Sequence, residues 1–206
     1  MKTIKNILAG ALVAATGVMS QSVFAGGSID LSLSDDTVRM EYDATKAGSG
    51  LHVSLVGQHH ADLGDMAAVG LHVVDVRNAN SDLYIGVGGK MYVYNAKLEK
   101  GDVYKKEDNH TGGALGIGGF LRYNIPQTDG LSVATYLYYA PEVVSFNSTE
   151  GLTDFDLRVQ YAIIPTARVY AGYRYNHVNL VESKSDSNVD SAELAQGLHA
   201  GLKIDF

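Results

Sequence analysis

The chain has 206 residues, with 16 Lys and Arg against 23 Asp and Glu, a net charge of −7, and no cysteine. An acidic balance argues against nucleic acid as a partner, and the missing cysteine excludes a disulfide framework or a lipid-anchored N-terminal cysteine. Gly (23) and Tyr (13) abound while Pro (3) and Trp (0) are scarce, which fits the short strands of a barrel or sandwich.

Lys2 and Lys5 open the chain, an uncharged run from Ile7 to Met19 follows, and Val23-Phe24-Ala25 precedes Gly26. A basic start, a short apolar core and a small-residue exit read as a secretory signal peptide, cleaved between Ala25 and Gly26. A spanning helix would need roughly 18 or more apolar residues, and this run stops short. The expected organisation is a leader, 1–25, and one domain, 26–206. No later stretch is long and apolar enough for a helical span, so only a barrel could place the domain in a membrane.

From there the chain alternates. Ile29, Leu31 and Leu33 oppose Ser28, Asp30 and Ser32; after Asp35-Asp36, Val38, Met40 and Tyr42 oppose Arg39, Glu41 and Asp43. Residues 44–50 break the pattern, and Leu51, Val53 and Leu55 then oppose His52 and Ser54. A polar segment, 57–65, reads as a loop, and Val69, Leu71 and Val73 follow against Gly70 and His72. Residues 78–81 are a turn by composition. Ile85, Val87 and Met91 oppose Tyr84, Lys90, Tyr92 and Tyr94; Leu115, Ile117 and Leu121 oppose Gly116, Gly118 and Arg122. Val133, Thr135 and Leu137 alternate with Tyr136 and Tyr138, Phe155, Leu157 and Val159 with Asp156 and Arg158, and Val169 and Ala171 with Arg168, Tyr170 and Arg174. The closing segment carries Leu194, Leu198, Leu202, Ile204 and Phe206 on one parity, with Gln196 the polar intruder, and His199, Lys203 and Asp205 on the other.

In a strand successive side chains point to opposite faces, so each segment has one apolar and one polar or small face. The count is ten strands, or eight if the short first pair is one irregular segment. Connections in the second half run long (95–112), short (126–130), long (141–153), short (164–166) and long (179–191). Outer-membrane barrels alternate in this way, with short periplasmic turns and long external loops. A soluble sandwich has no reason to. The fold expected is all-β: an up-and-down antiparallel transmembrane β-barrel whose external loops include 57–65. A terminal Phe on the closing strand makes Leu202, Ile204 and Phe206 the expected signal for the barrel assembly machinery.

One magnitude fixes the facing. An Arg or Lys on the lipid face costs about 2–4 kcal/mol at the midplane. The lumen therefore takes Arg39, Arg122, Arg158, Arg168 and Arg174, and with them Glu41, Lys90, Asp156, Asp30, Asp43 and Asp205. Both signs of charge, with Tyr84, Tyr92, Tyr136, Tyr138 and Tyr170 also inward, predict a largely filled lumen held by ion pairs. An interior of ten strands is only a little wider than that of eight.

The segments GIGGFLRYNI (116–125), TYLYYAPE (135–142), YAIIPTARVYAGYRYNHVNL (161–180) and GLKIDF (201–206) resemble the YfaZ family of outer-membrane proteins, from Ala67 onward. The resemblance implies a small outer-membrane barrel and carries no activity or catalytic motif with it.

Other motifs are weaker. His59-His60 with Asp62 and Asp65 suggests a metal, but adjacent residues of an extended chain point opposite ways, and a solvated loop is the simpler reading. Asp186, Asn188 and Asp190 match the start of a calcium loop, yet Ser191 stands where Gly belongs and Gly197 where the bidentate Glu belongs. Lys97, Lys100, Lys105 and Lys106 could meet lipopolysaccharide phosphates, but they alternate with acids as a solvated loop does. His177 and nearby Ser residues form no ordered nucleophile–base set. The Gly-rich run at 112–119 lacks a phosphate-loop ending, so its small residues make room in the lumen. Tyr139, Tyr161, Tyr173 and Tyr175 read as an interfacial belt. The expectation is a monomer with no cofactor, no metal and no catalytic residues, whose partners are outer-membrane lipid, lipopolysaccharide and the assembly machinery. Its role is structural or surface-interacting, with a narrow solute channel as first alternative and a lipid-modifying enzyme as second.

Overall fold

A computed structural model describes residues 26–46, 50–74, 82–98, 108–147, 149–180 and 191–206. The leader, the calcium-loop candidate at 186–190 and, of the lysine-rich segment, Lys100, Lys105 and Lys106 fall outside the described residues. Ten long strands follow in chain order: β1 (Gly27–Leu33), β2 (Thr37–Lys46), β3 (Leu51–His60), β4 (Gly64–Val74), β5 (Leu83–Leu98), β6 (Asp108–Asn124), β7 (Leu131–Ala140), β9 (Thr149–Ile164), β10 (Ala167–Leu180) and β11 (Ser191–Asp205). A short strand, β8 (Ser145–Asn147), lies between β7 and β9 in sequence and pairs only with β6. Every pairing is antiparallel. β1 joins both β2 and β11, β5 joins β6, and the sheet closes into a barrel. Among the described residues there is no α-helix.

Closure gives every edge a partner, which an open sheet of this length could not do. The seam between β1 and β11 pairs Ser28 with Asp205 through Leu33 with Ala200. Gly27 and Phe206 complete it with two backbone bonds: each N–H donates to the other's carbonyl, at 2.8 and 2.9 Å. The Phe206 ring stacks on Tyr42, centroids 6.4 Å apart. Both described chain ends and the short turns after β2, β6 and β9 lie at one end of the barrel, called here the terminal end. Strands β5, β7 and β10 finish at the other, the long-loop end.

The outward parity is apolar and exposed: Leu71 is 55%, Val87 62% and Ile117 70% accessible. Tyr139, Tyr161 and Tyr173 are also exposed on this face. The inward parity carries the charges, as the cost of placing Arg on an apolar outer face requires.

Three expectations need correction. The segment 57–65 is not a loop, because β3 runs to His60, β4 resumes at Gly64, and His60 pairs with Gly64 across the turn. Polar residues on the inward parity are what a charged lumen demands, so Gln58 marks a strand rather than its end. β2 runs on through the break at 44–50 as far as Lys46, and strands reach into the other three predicted loops: β5 continues to Leu98, β6 begins at Asp108, β9 at Thr149 and β11 at Ser191. Finally, Leu194 faces inward. Asn176 pairs with Ala195 but His177 with Glu193, so one residue of β11 bulges and the parity flips there.

Candidate functional site

The inward side chains form three layers along the barrel axis. The middle one is charged. Asp156 on β9 is directly opposite Arg174 on β10, and Arg158 lies on the same face of β9 two residues on. Arg158 grips Asp156 with Nε and Nη2, at 2.8 and 2.9 Å, and reaches across the lumen with Nη1 to Asp30 at 2.6 Å. Arg174 donates to Asp156 from Nε at 3.0 Å and from Nη2 at 2.9 Å, and to the Ser32 hydroxyl at 3.0 Å. His199 Nε2 approaches Asp156 at 3.1 Å. Asp156 is thus the hub, a carboxylate met by two guanidinium groups and an imidazole. Such bidentate geometry suits Arg and would be lost with Lys.

A second group adjoins it. Arg39 lies between Asp154 (3.5 Å) and Glu41 (3.6 Å), Lys90 reaches Glu41 at 3.3 Å, and the Tyr92 hydroxyl donates to Asp154 at 3.0 Å. Rings fill the gaps. Arg158 lies between Tyr136 and Tyr170, 4.8 and 4.4 Å from their centroids, and Lys90 lies over Tyr138 at 4.6 Å. The Tyr138 hydroxyl hydrogen-bonds His72 Nε2 at 2.8 Å. Small residues make this density possible: a Cβ added at Gly172 would come within 3.1 Å of Arg158 Cγ, and one at Gly116 within 3.1 Å of the Tyr92 ring.

Towards the long-loop end the inward positions turn apolar. Val56, Met66, Leu152, Val178, Leu180 and Leu194 pack with Tyr92, Tyr94 and several Ala into one buried cluster. The Leu194 flip produced by the bulge supplies part of it. Towards the terminal end the lumen instead opens into a cup of about 400 Å³, whose floor is the charged layer (Arg158, Glu41, His72, Tyr138). Its walls carry Asp43, His52, Tyr84, Phe120, Arg122, Tyr136, Arg168, Lys203 and Asp205.

The structure therefore brings Arg39, Glu41, Lys90, Asp156, Arg158 and Arg174 into one layer. Arg168 lies instead at the cup, paired with Asp205, and Arg122 stands there over the Tyr84 ring at 4.3 Å. Sequence reasoning missed Asp154, His72 and His199 as members of the layer and Lys203 as part of the cup. Asp154 is two residues before Asp156 and shares its parity, so a longer strand would have included it. His199 and Lys203 share the parity of Asp205.

The remaining candidates sit apart. His59 Nδ1 meets Asp65 at 2.6 Å across the β3–β4 turn. His60 Nδ1 accepts the N–H groups of Asp62 and Leu63, both at 3.2 Å, and burial pushes its pKa below the ordinary histidine value. These two rings organise a turn, and among the described residues no three His, Asp or Glu are grouped to hold a metal ion. His177 stacks on Tyr175 at 5.5 Å and pairs with Asn179 at 3.0 Å.

A family model described as YfaZ precursor matches residues 4–206, nearly the whole chain, where the sequence resemblance had reached back only to Ala67. The chain belongs to that family. A precursor by description implies a cleaved signal peptide, and a closed barrel is consistent with an outer membrane. No curated protein matches the chain.

Proposed function

From its membership of the YfaZ family and the closure of its ten strands, we propose that the protein is an integral outer-membrane barrel without enzymatic activity. Its role is structural or surface-interacting, exerted through the long connections rather than through a pore. In this reading the leader is removed between Ala25 and Gly26, the terminal end faces the periplasm, and the long-loop end faces outward beside lipopolysaccharide. The barrel works as a monomer, without cofactor, after delivery by the assembly machinery that reads Leu202, Ile204 and Phe206. The exposed apolar outer parity supports the membrane placement.

The observation that carries the plugged lumen is the apolar cluster at the long-loop end. An ion crossing it would have to shed water against Leu152, Leu180 and Leu194, with only a few neutral groups such as Asn176, Gln58 and Thr149 nearby to replace the hydration shell. The cup below favours the second reading, a narrow channel for ions or small polar solutes, since it supplies a charged vestibule. Planar-bilayer recording of the refolded mature chain at two salt concentrations separates the two. The plugged barrel gives no discrete steps while a heat-modifiable gel band confirms folding. Reproducible steps that scale with salt would replace it with the channel.

A further inference from the structure

The cup is lined by four acids and four Lys or Arg cations, but unlike those of the layer above it they are unevenly paired. Each of the four acids that line it is already engaged: Asp30 by Arg158 at 2.6 Å, Glu41 by Lys90 at 3.3 Å, Asp43 by His52 at 2.9 Å, and Asp205 by Arg168. Those contacts also use two of the four cations that line it, Arg158 and Arg168. The other two, Arg122 and Lys203, have no carboxylate in ion-pair range among the described residues. Arg122 Nε is buried and lacks a hydrogen-bond partner, and its guanidinium lies over the face of Tyr84. Tyr136 and, beyond ion-pair range, the Arg168-bound Asp205 lie within electrostatic reach of both cations, and Asp30 and Asp43 within reach of Lys203; Phe120 packs beside Tyr136 with ring centroids 5.7 Å apart.

An unmatched cation in a sheltered wall is unfavourable unless something compensates it, and an orphaned guanidinium N–H adds to that cost. Arg presents its donors in a planar fork that fits carboxylate and phosphate oxygens. The cup also has the size of a small-molecule site, which spans about 300–1,000 Å³, and the usual lining of aromatic faces with a few convergent polar groups.

We propose that this cup binds one small organic anion, with a carboxylate or phosphate group held by Arg122 and Lys203 and a ring-sized body against Tyr84, Phe120 and Tyr136. The apolar cluster at the far end makes it a dead-end site reached only from the terminal end. That this end faces the periplasm rests on the topology proposed above; the binding chemistry does not. The site is then a receptor for an anion on one side of the membrane, not a station along a conduction path.

The test is equilibrium dialysis of the refolded mature chain in neutral detergent micelles against phenyl phosphate and, separately, benzoate. Phenol and inorganic phosphate serve as probes that carry only the ring or only the charge. Saturable one-to-one uptake of phenyl phosphate or benzoate is expected, and the stronger of the two assigns the headgroup. Phenol and inorganic phosphate should bind at least about tenfold more weakly. Arg122→Gln should weaken uptake by about tenfold or more, and Arg122→Lys by less. Lys203→Gln is the second variant, used if Arg122→Gln lacks the heat-modifiable band. No saturable uptake of either organic anion by the folded wild-type barrel would overturn the site. So would affinities unchanged by both Gln variants, or equal uptake of phenol. None of these outcomes depends on whether the barrel conducts, so the site and the plugged-barrel reading can fail separately.

Discussion

Asp156 and its three partners show how a lumen residue differs from a surface one. Arg158, Arg174 and Asp156 are almost wholly inaccessible, with side-chain exposures of 3–4%, whereas the Arg168–Asp205 pair is 18% and 34% exposed. Breaking a buried pair strands a charge and costs about 3–5 kcal/mol, while an exposed pair contributes about 0–1 kcal/mol. Arg158→Leu and Arg174→Leu should therefore each lower the urea midpoint of refolded barrel substantially, and Arg168→Leu should leave it nearly unchanged. Equal shifts for all three would refute the idea of a buried ionic layer. The inward facing of these Arg residues was legible from strand parity and one transfer energy. Their partners were not, because Arg158–Asp30 and Arg174–Ser32 link positions 128 and 142 residues apart.

At the scale of the element, β11 does most to define the barrel. It holds β1 and β10 together, carries the bulge that turns Leu194 inward, and ends where Phe206 meets Gly27 and Tyr42. Deleting Phe206 removes two seam hydrogen bonds and a ring stack at the point of closure. Its yield of heat-modifiable, membrane-inserted protein should fall well below that of a chain lacking residues 100–107 between β5 and β6. Similar yields from the two deletions would show that the seam is not limiting for assembly. The strand itself was plain from alternation across 193–206. The bulge was not, because its cause is the register against β10 rather than any local turn chemistry. The same limit shortened the strands near 57–65 and 149–153, where polar inward residues were read as loop.

For the whole molecule, the described lumen is asymmetric: apolar and packed at the long-loop end, charged in the middle, open and aromatic at the terminal end. If the apolar cluster is the seal, polar substitution within it should let water and ions through. The double variant Leu152→Ser/Leu180→Ser is expected to show conductance steps in a planar bilayer where the wild-type chain is silent. Removing these side chains also costs stability, on the scale of the ~2–5 kcal/mol of a buried Leu→Ala change. The heat-modifiable band must therefore persist for the comparison to count. A folded variant that stays silent would move the seal to the ionic layer.

The sequence by itself determined the barrel class, a count of ten strands with eight as its fallback and, Leu194 apart, which parity meets the outside. Those follow from a period of two and from the cost of charge on an apolar face, both readable within a few neighbouring residues. Tertiary structure alone decided which carboxylate each Arg grips, where the lumen turns from charged to apolar, and that Arg122 and Lys203 stand in the wall of a cup without a direct carboxylate partner among the described residues. These depend on stagger between strands and on reach across the lumen, which set residues from opposite walls at the same height. No local pattern encodes that height.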